Sequence, residues 1–167
     1  MNCPNCGAAL APSHSPDYYF CAYCGSFHFP KPVSEGVLIV PTNENAQQVA
    51  ARCPVCGDPL VDARVDVVTA HYCRRCRGVL VAQTGFVSAI RQLAMTDPPP
   101  PYPPRPVNMD ALKRSLRCPL CRRKMDVHPY YGPGNIIIDT CGHCRVIWLD
   151  HGELSRIVSG FAQEEHD

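Results

Sequence analysis

Twelve cysteines are the residues of this chain best suited to chemistry, and all of them fall in Cys-x-x-Cys pairs. The pairs are Cys3/Cys6, Cys21/Cys24, Cys53/Cys56, Cys73/Cys76, Cys118/Cys121 and Cys141/Cys144. Two thiolates separated by two residues lie on one side of a tight turn, where backbone N–H groups can offset their charge. Two such turns facing each other make a tetrahedral cage for zinc, with metal–sulfur distances near ~2.3 Å. The stretches between successive pairs are 14, 28, 16, 41 and 19 residues long. Pairing across the short stretches leaves no cysteine over. It gives one site from Cys3, Cys6, Cys21 and Cys24, a second from Cys53, Cys56, Cys73 and Cys76, and a third from Cys118, Cys121, Cys141 and Cys144. The expected cofactor is three structural zinc ions. Rubredoxin-like iron uses the same turn, but the short gaps favour zinc. Disulfides would need an oxidising compartment. A thioredoxin-like motif would need one pair opening the helix of a βαβ unit, a pattern absent from this sequence.

A cage of four thiolates keeps no position open for water or substrate. Elsewhere no histidine, carboxylate or serine cluster shows catalytic spacing. His71, His128 and His151 are scattered, and His14 and His28 are not needed as ligands. Asp150 and Glu153 have the spacing of a helix capping box. The chain is therefore read as non-catalytic, with no catalytic residues and no small-molecule substrate.

The elements that must hold these cysteines repeat three times. Each first pair reads Cys-Pro-x-Cys, and a large apolar residue follows four positions after it: Leu10, Leu60 and Met125. Strand-like sequence precedes each second pair, at Tyr18–Phe20, Val65–Tyr72 and Ile136–Thr140. Eighteen prolines and eleven glycines argue against one continuous core. The expected fold class is small, β-rich and metal-stabilised: three tandem zinc ribbons of short antiparallel hairpins, with C-terminal helices on the second and third. Ribbons this small bury too little surface to fold without a metal.

The expected organisation is ribbon one at 1–30, a connector at 31–52, ribbon two with a helix at 53–96, a linker at 97–107, and ribbon three with a helix at 108–161. In ribbon one, Tyr18, Tyr19, Phe20, Phe27 and Phe29 are expected to form the small core. The connector holds a short strand at Gly36–Val40, expected to pair with a ribbon edge. In ribbon two, Phe86, Ile90 and Leu93, with Val87 and Ala94 alongside, mark a helix face. The linker has seven prolines and reads as a polyproline II spacer separating ribbon three from the rest. Asn108 could cap a helix through Leu116, and Leu154, Ile157, Val158 and Phe161 form the stripe of a last helix ended by Gly160.

The third segment resembles the transcription-factor-IIB-type zinc ribbon found in many small bacterial proteins. CPLC, CGHC and the run WLDHGEL, from Trp148 to Leu154, carry the resemblance. It implies zinc on Cys118, Cys121, Cys141 and Cys144, Trp148 and Leu149 packed on the ribbon, and a helix started by Asp150 and Glu153. The family usually has glycine after the second knuckle, where this chain has Arg145 and Val146. Residues 53–94 resemble a degenerate copy, with Leu80 standing where the tryptophan would be. Residues 1–30 resemble a generic short ribbon.

The formal charge of +1 treats cysteines as neutral. Twelve thiolates remove twelve charges and three dications restore six, which takes the loaded chain to −5. That disfavours generic attraction to nucleic acid or an anionic surface. No basic n-region and apolar run open the chain, and no segment approaches the ~20 apolar residues of a membrane span, so a cytoplasmic protein is expected. Two roles remain. One is a structural module that binds a protein partner in a larger assembly. The other is nucleic-acid binding through Arg74, Arg75 and Arg77 at one knuckle and Arg122, Arg123 and Lys124 at another, with Arg114, Arg117 and Arg145 near them. Charges beside a four-thiolate site also offset its own net negative charge, and the protein-binding role is the preferred reading.

Overall fold

The computed structural model describes residues 1–12, 17–30, 37–39, 51–103, 105–130 and 135–164. The first ribbon is a three-stranded antiparallel sheet of two-residue strands: β1 (Ala11–Pro12), β2 (Tyr19–Phe20) and β3 (Phe27–His28). Among the described residues, the other strands join one seven-stranded antiparallel sheet. Its strands are β4 (Val37–Ile39), β5 (Val61–Val65), β6 (Val68–Tyr72), β7 (Val79–Ala82), β8 (Asp126–Pro129), β9 (Ile137–Cys141) and β10 (Val146–Leu149). The order across the sheet is β4-β5-β6-β7-β10-β9-β8.

That order departs from the expectation of a separate third ribbon. β7 of ribbon two pairs antiparallel with β10 of ribbon three, so the two ribbons share a sheet. The register places Leu80 opposite Trp148. Leu80 stands four residues after Cys76, and Trp148 stands four residues after Cys144. Equivalent positions therefore face each other, and a pseudo-two-fold axis passes through the Leu80–Trp148 pair. The linker folds back rather than holding the ribbons apart: the Pro100 carbonyl accepts a hydrogen bond from Ser159 Oγ, and the Arg105 carbonyl accepts one from Asn135 Nδ2.

Both faces of this joint are buried, and period-two alternation sorts the side chains between them. Val79, Val81, Ile147 and Leu149 face the helices α1 (Phe86–Thr96) and α2 (Glu153–Glu164), which also pack on each other. Leu80, Val146 and Trp148 face the other way. They cluster with Leu60, Leu116, Met125 and the cysteines of sites two and three. Metal sites two and three thus belong to the second core layer. This explains why VLVA and VIWL read as near-continuous apolar runs.

Several local expectations change. Val65–Tyr72 is not one strand: it spans a tight turn at Asp66 and Val67, and β5 and β6 form a hairpin around it. The connector strand pairs with β5, as expected, over Val37–Ile39; residues 31–36 and 40–50 of the connector lie outside the described residues. Asn108 does not cap a helix through Leu116: its Oδ1 accepts from the Asp110 N–H in a tight turn, and only a single 3-10 turn follows at Ala111–Lys113, capped by Asp110. Val87 is exposed, while Phe86, Ala89, Ile90 and Ala94 make the buried face of α1. Gly160 lies inside α2 and does not end it.

Trp148 is fully buried, and Gly78 makes room for it. A Cβ on Gly78 would lie 2.3 Å from the indole Cζ2. Gly78→Ala should therefore destabilise the loaded protein by about 1–3 kcal/mol through overpacking. Trp148 is the single tryptophan of the chain, so a red-shifted emission should accompany the loss in denaturant titrations read by fluorescence.

Candidate metal centres

Five of the six knuckles show the same pair of backbone bonds. The N–H of the first cysteine donates to the carbonyl five residues on: Cys3 to Ala8, Cys21 to Ser26, Cys53 to Asp58, Cys73 to Gly78 and Cys118 to Arg123. The residue after the second cysteine donates back to the first cysteine's carbonyl at 2.8–3.0 Å, as seen for Gly7, Gly25, Gly57, Arg77 and Arg122. This turn needs a left-handed residue after the second cysteine. Gly7, Gly25 and Gly57 have φ of 77°, 69° and 78°, while Arg77, Arg122 and Arg145 have 60°, 64° and 52°. Glycine takes this conformation without strain, and a residue with a Cβ does so at a cost of about 1–2 kcal/mol. The absence of glycine at 145 therefore leaves the turn intact.

The twelve cysteines gather in the three expected groups of four, with the sulfurs of each group within 4.8 Å of one another. Five sulfur pairs across the knuckles lie 3.4–3.7 Å apart: Cys3–Cys24, Cys6–Cys21, Cys53–Cys76, Cys56–Cys73 and Cys121–Cys141. A disulfide would bring sulfurs to ~2.05 Å. A zinc–sulfur distance of ~2.3 Å sets the edge of a tetrahedron at about 3.8 Å, close to these spacings. The donor set and the spacing fit zinc at all three sites, and four sulfurs complete its coordination.

The sites differ in exposure. Site two has Cys53, Cys73 and Cys76 buried, whereas in site one Cys6 and Cys24 are exposed. Site one has added hydroxyl and imidazole contacts: Ser26 Oγ lies 2.9 Å from Cys24 Sγ, and His28 Nε2 lies 3.2 Å from Cys3 Sγ and 2.8 Å from Ser26 Oγ. These neighbours were not picked out from sequence, although the short Cys24-Gly-Ser-Phe-His28 run carries them.

Without metal the thiols share protons. The thiols of Cys53 and Cys76 hydrogen-bond to Cys73 and pull it down to about 2, while Cys53 and Cys73 push Cys76 up. The Ser26 hydroxyl lowers Cys24 to about 7, and the Arg123 N–H lowers Cys121 to about 7. Depressed thiol values favour the thiolate form that metal needs. Metal is lost as falling pH returns protons to the sulfurs.

A buried ion cluster supports site three. Arg114 reaches both Asp139 on β9 and Asp150 after β10, and both carboxylates are buried. Trp148 Nε1 donates to Asp150 Oδ1 at 3.1 Å, and the Asp150 N–H donates to Glu153 Oε2 at 2.8 Å. The Glu153 arm of the capping box is thus present, while the Asp150 carboxylate holds the tryptophan and Arg114. Burial and the Asp150 charge raise the Glu153 carboxyl well above its ordinary value.

The cations nominated for phosphate contact are divided. Arg74, Arg117, Arg122, Arg123, Lys124 and Arg145 are exposed. Arg114 is committed to the buried cluster. Arg75 Nη2 donates to the Gly25 carbonyl at 2.7 Å and its Nη1 pairs with Asp58 at 3.2 Å. The Arg77 guanidinium lies 4.0 Å from the Phe29 ring centre. His151 is buried and meets Phe29 edge-on at 4.7 Å, which its sequence neighbourhood did not reveal. Among the described residues, no helix is long and apolar enough to cross a membrane.

A family model described as a transcription factor zinc-finger matches residues 52–90 and 117–160. No curated protein and no solved structure matches the chain.

Native mass spectrometry of the purified chain should find three zinc ions at pH 8 and their release below about pH 5, where protons outcompete metal for thiolate. Arg122→Gly should raise the midpoint of thermal unfolding, by a stabilisation of about 1 kcal/mol, and Arg122→Val should lower it.

Proposed function

We propose that this chain, two of whose three modules are transcription-factor-IIB-type zinc ribbons, is a non-catalytic scaffold that binds a protein partner. Its zinc ions complete their coordination with cysteine sulfur and serve to hold shape. The observation that carries the reading is the internal use of the arginines. Arg114 is held between two buried carboxylates, Arg77 lies over the Phe29 ring, and Arg75, though exposed, is neutralised by Asp58, which breaks up a continuous basic surface. The loaded charge of −5 acts in the same direction.

What the knuckle tips expose suits a protein surface. Tyr23 is 84% exposed between Cys21 and Cys24, and Leu120 is 45% exposed between Cys118 and Cys121. Both are large apolar side chains on metal-pinned turns, so little conformational entropy is lost when they bind. The competing reading, nucleic acid, is favoured by Arg122, Arg123 and Lys124, which are exposed and consecutive at the third site.

Two variants of the full chain separate these readings. Tyr23→Ala/Leu120→Ala should lose at least about tenfold in affinity for a co-purifying protein, as expected for buried anchors. Replacing Arg122, Arg123 and Lys124 by glutamine should leave that affinity within about twofold. Retention of the native chain on DNA or RNA in roughly 50 mM salt, lost in the triple variant, would overturn the protein-binding role.

A further inference from the structure

Ribbon one does not stand apart from the other two. Asp17 lies against Gly152, where an added Cβ would meet the carboxylate Oδ2 at 2.3 Å. Arg156 Nη2 donates to Asp17 Oδ1 at 2.7 Å, and side-chain exposure is only 11% for Arg156 and 10% for Asp17. Phe29 sits between the Arg77 guanidinium and the His151 ring. The Gly25 carbonyl takes Arg75, whose guanidinium also lies 5.9 Å from the Phe27 ring centre. Tyr18 is buried; burial and the nearby Asp150 carboxylate raise its phenol. The surface under ribbon one is thus a receptor with two features: a glycine cradle with a guanidinium for a carboxylate, and a guanidinium–imidazole slot for an aromatic ring.

We propose that ribbon one is a metal-held cap on this receptor, and that loss of the site-one zinc alone releases it. Two structural contrasts carry the proposal. The docking residues Asp17, Tyr18, Gly25, Phe27 and Phe29 all belong to a unit with strands two residues long, whose own core is the tilted stack of Tyr18, Phe27 and Phe29. A unit that small keeps its shape only while its metal is bound. Ribbons two and three share a seven-stranded sheet and the Trp148 core layer, so they keep theirs when site one empties. Of the twelve cysteines, Cys6 and Cys24 are the exposed ones, and both belong to site one. A competing ligand reaches that site first. Its loss would uncover Arg156 and release Arg77 from the Phe29 ring, changing the charge this face presents.

The test is Cys6→Ser/Cys24→Ser in the full chain. Native mass spectrometry should find two zinc ions against three in the native chain, with unchanged Trp148 emission. Phenylglyoxal should modify Arg156 at least about tenfold faster, and chymotrypsin should cleave after Tyr18 and Phe27 at least about tenfold faster, as expected when a local unit opens. Two zinc ions with Arg156, Tyr18 and Phe27 still protected would overturn the cap. Fewer than two zinc ions would overturn the independence of site one. The native chain gives a check that needs no substitution. Under a mild chelator the first zinc should leave together with Arg156 protection while two zinc ions remain, and concerted loss of all three would overturn the proposal.

Discussion

A single ion can be held by four sulfurs only if two turns far apart in sequence arrive with their thiolates about 4 Å apart, and the rest of this structure depends on that requirement. It dictates the knuckle, with its return hydrogen bond to the first cysteine's carbonyl. The knuckle in turn dictates a left-handed residue after the second cysteine. The hairpins leading into the turns follow, because their pairing is what brings two knuckles into register.

The metal clamps fix three small units, but they do not join them. The joint between ribbons two and three is hydrophobic and depends on Leu80 facing Trp148 across β7 and β10. Substituting leucine for tryptophan at one of two equivalent positions leaves room for one indole at the axis. Gly78, across from it, admits the ring edge. Arg114 then ties β9 to the turn after β10 through two buried carboxylates. Burying an ion cluster of this kind contributes little net stability, but removing one member leaves charge uncompensated, so the arrangement fixes geometry more than it adds free energy.

The three metal sites were legible from the sequence because cysteine spacing determines ligand sets with few alternatives. The helix stripe of Leu154, Ile157 and Val158 and the connector strand were also legible, since periodicity and composition pointed one way; of the ribbon-one aromatics, Tyr18, Phe27 and Phe29 pack as expected while Phe20 is exposed. The shared sheet was not. The seven prolines read as a spacer, and nothing in one strand's sequence says which edge it will meet. The buried-on-both-faces runs at 79–82 and 146–149 were the available signal. Arg114 and Arg77 look like surface cations in sequence because arginine's partners are set by tertiary contacts. His151 was hidden in the same way: its burial depends on Phe29, more than a hundred residues away.

The central strand pair also sets an order of events during synthesis. β7 cannot find its neighbour until residues 146–149 have left the ribosome, which leaves a flat, apolar strand edge open while sixty-odd further residues are made. Such an edge is a template for pairing with other chains. The nascent protein is therefore most prone to aggregate after its second ribbon is complete, and completion of the third ribbon is what protects it.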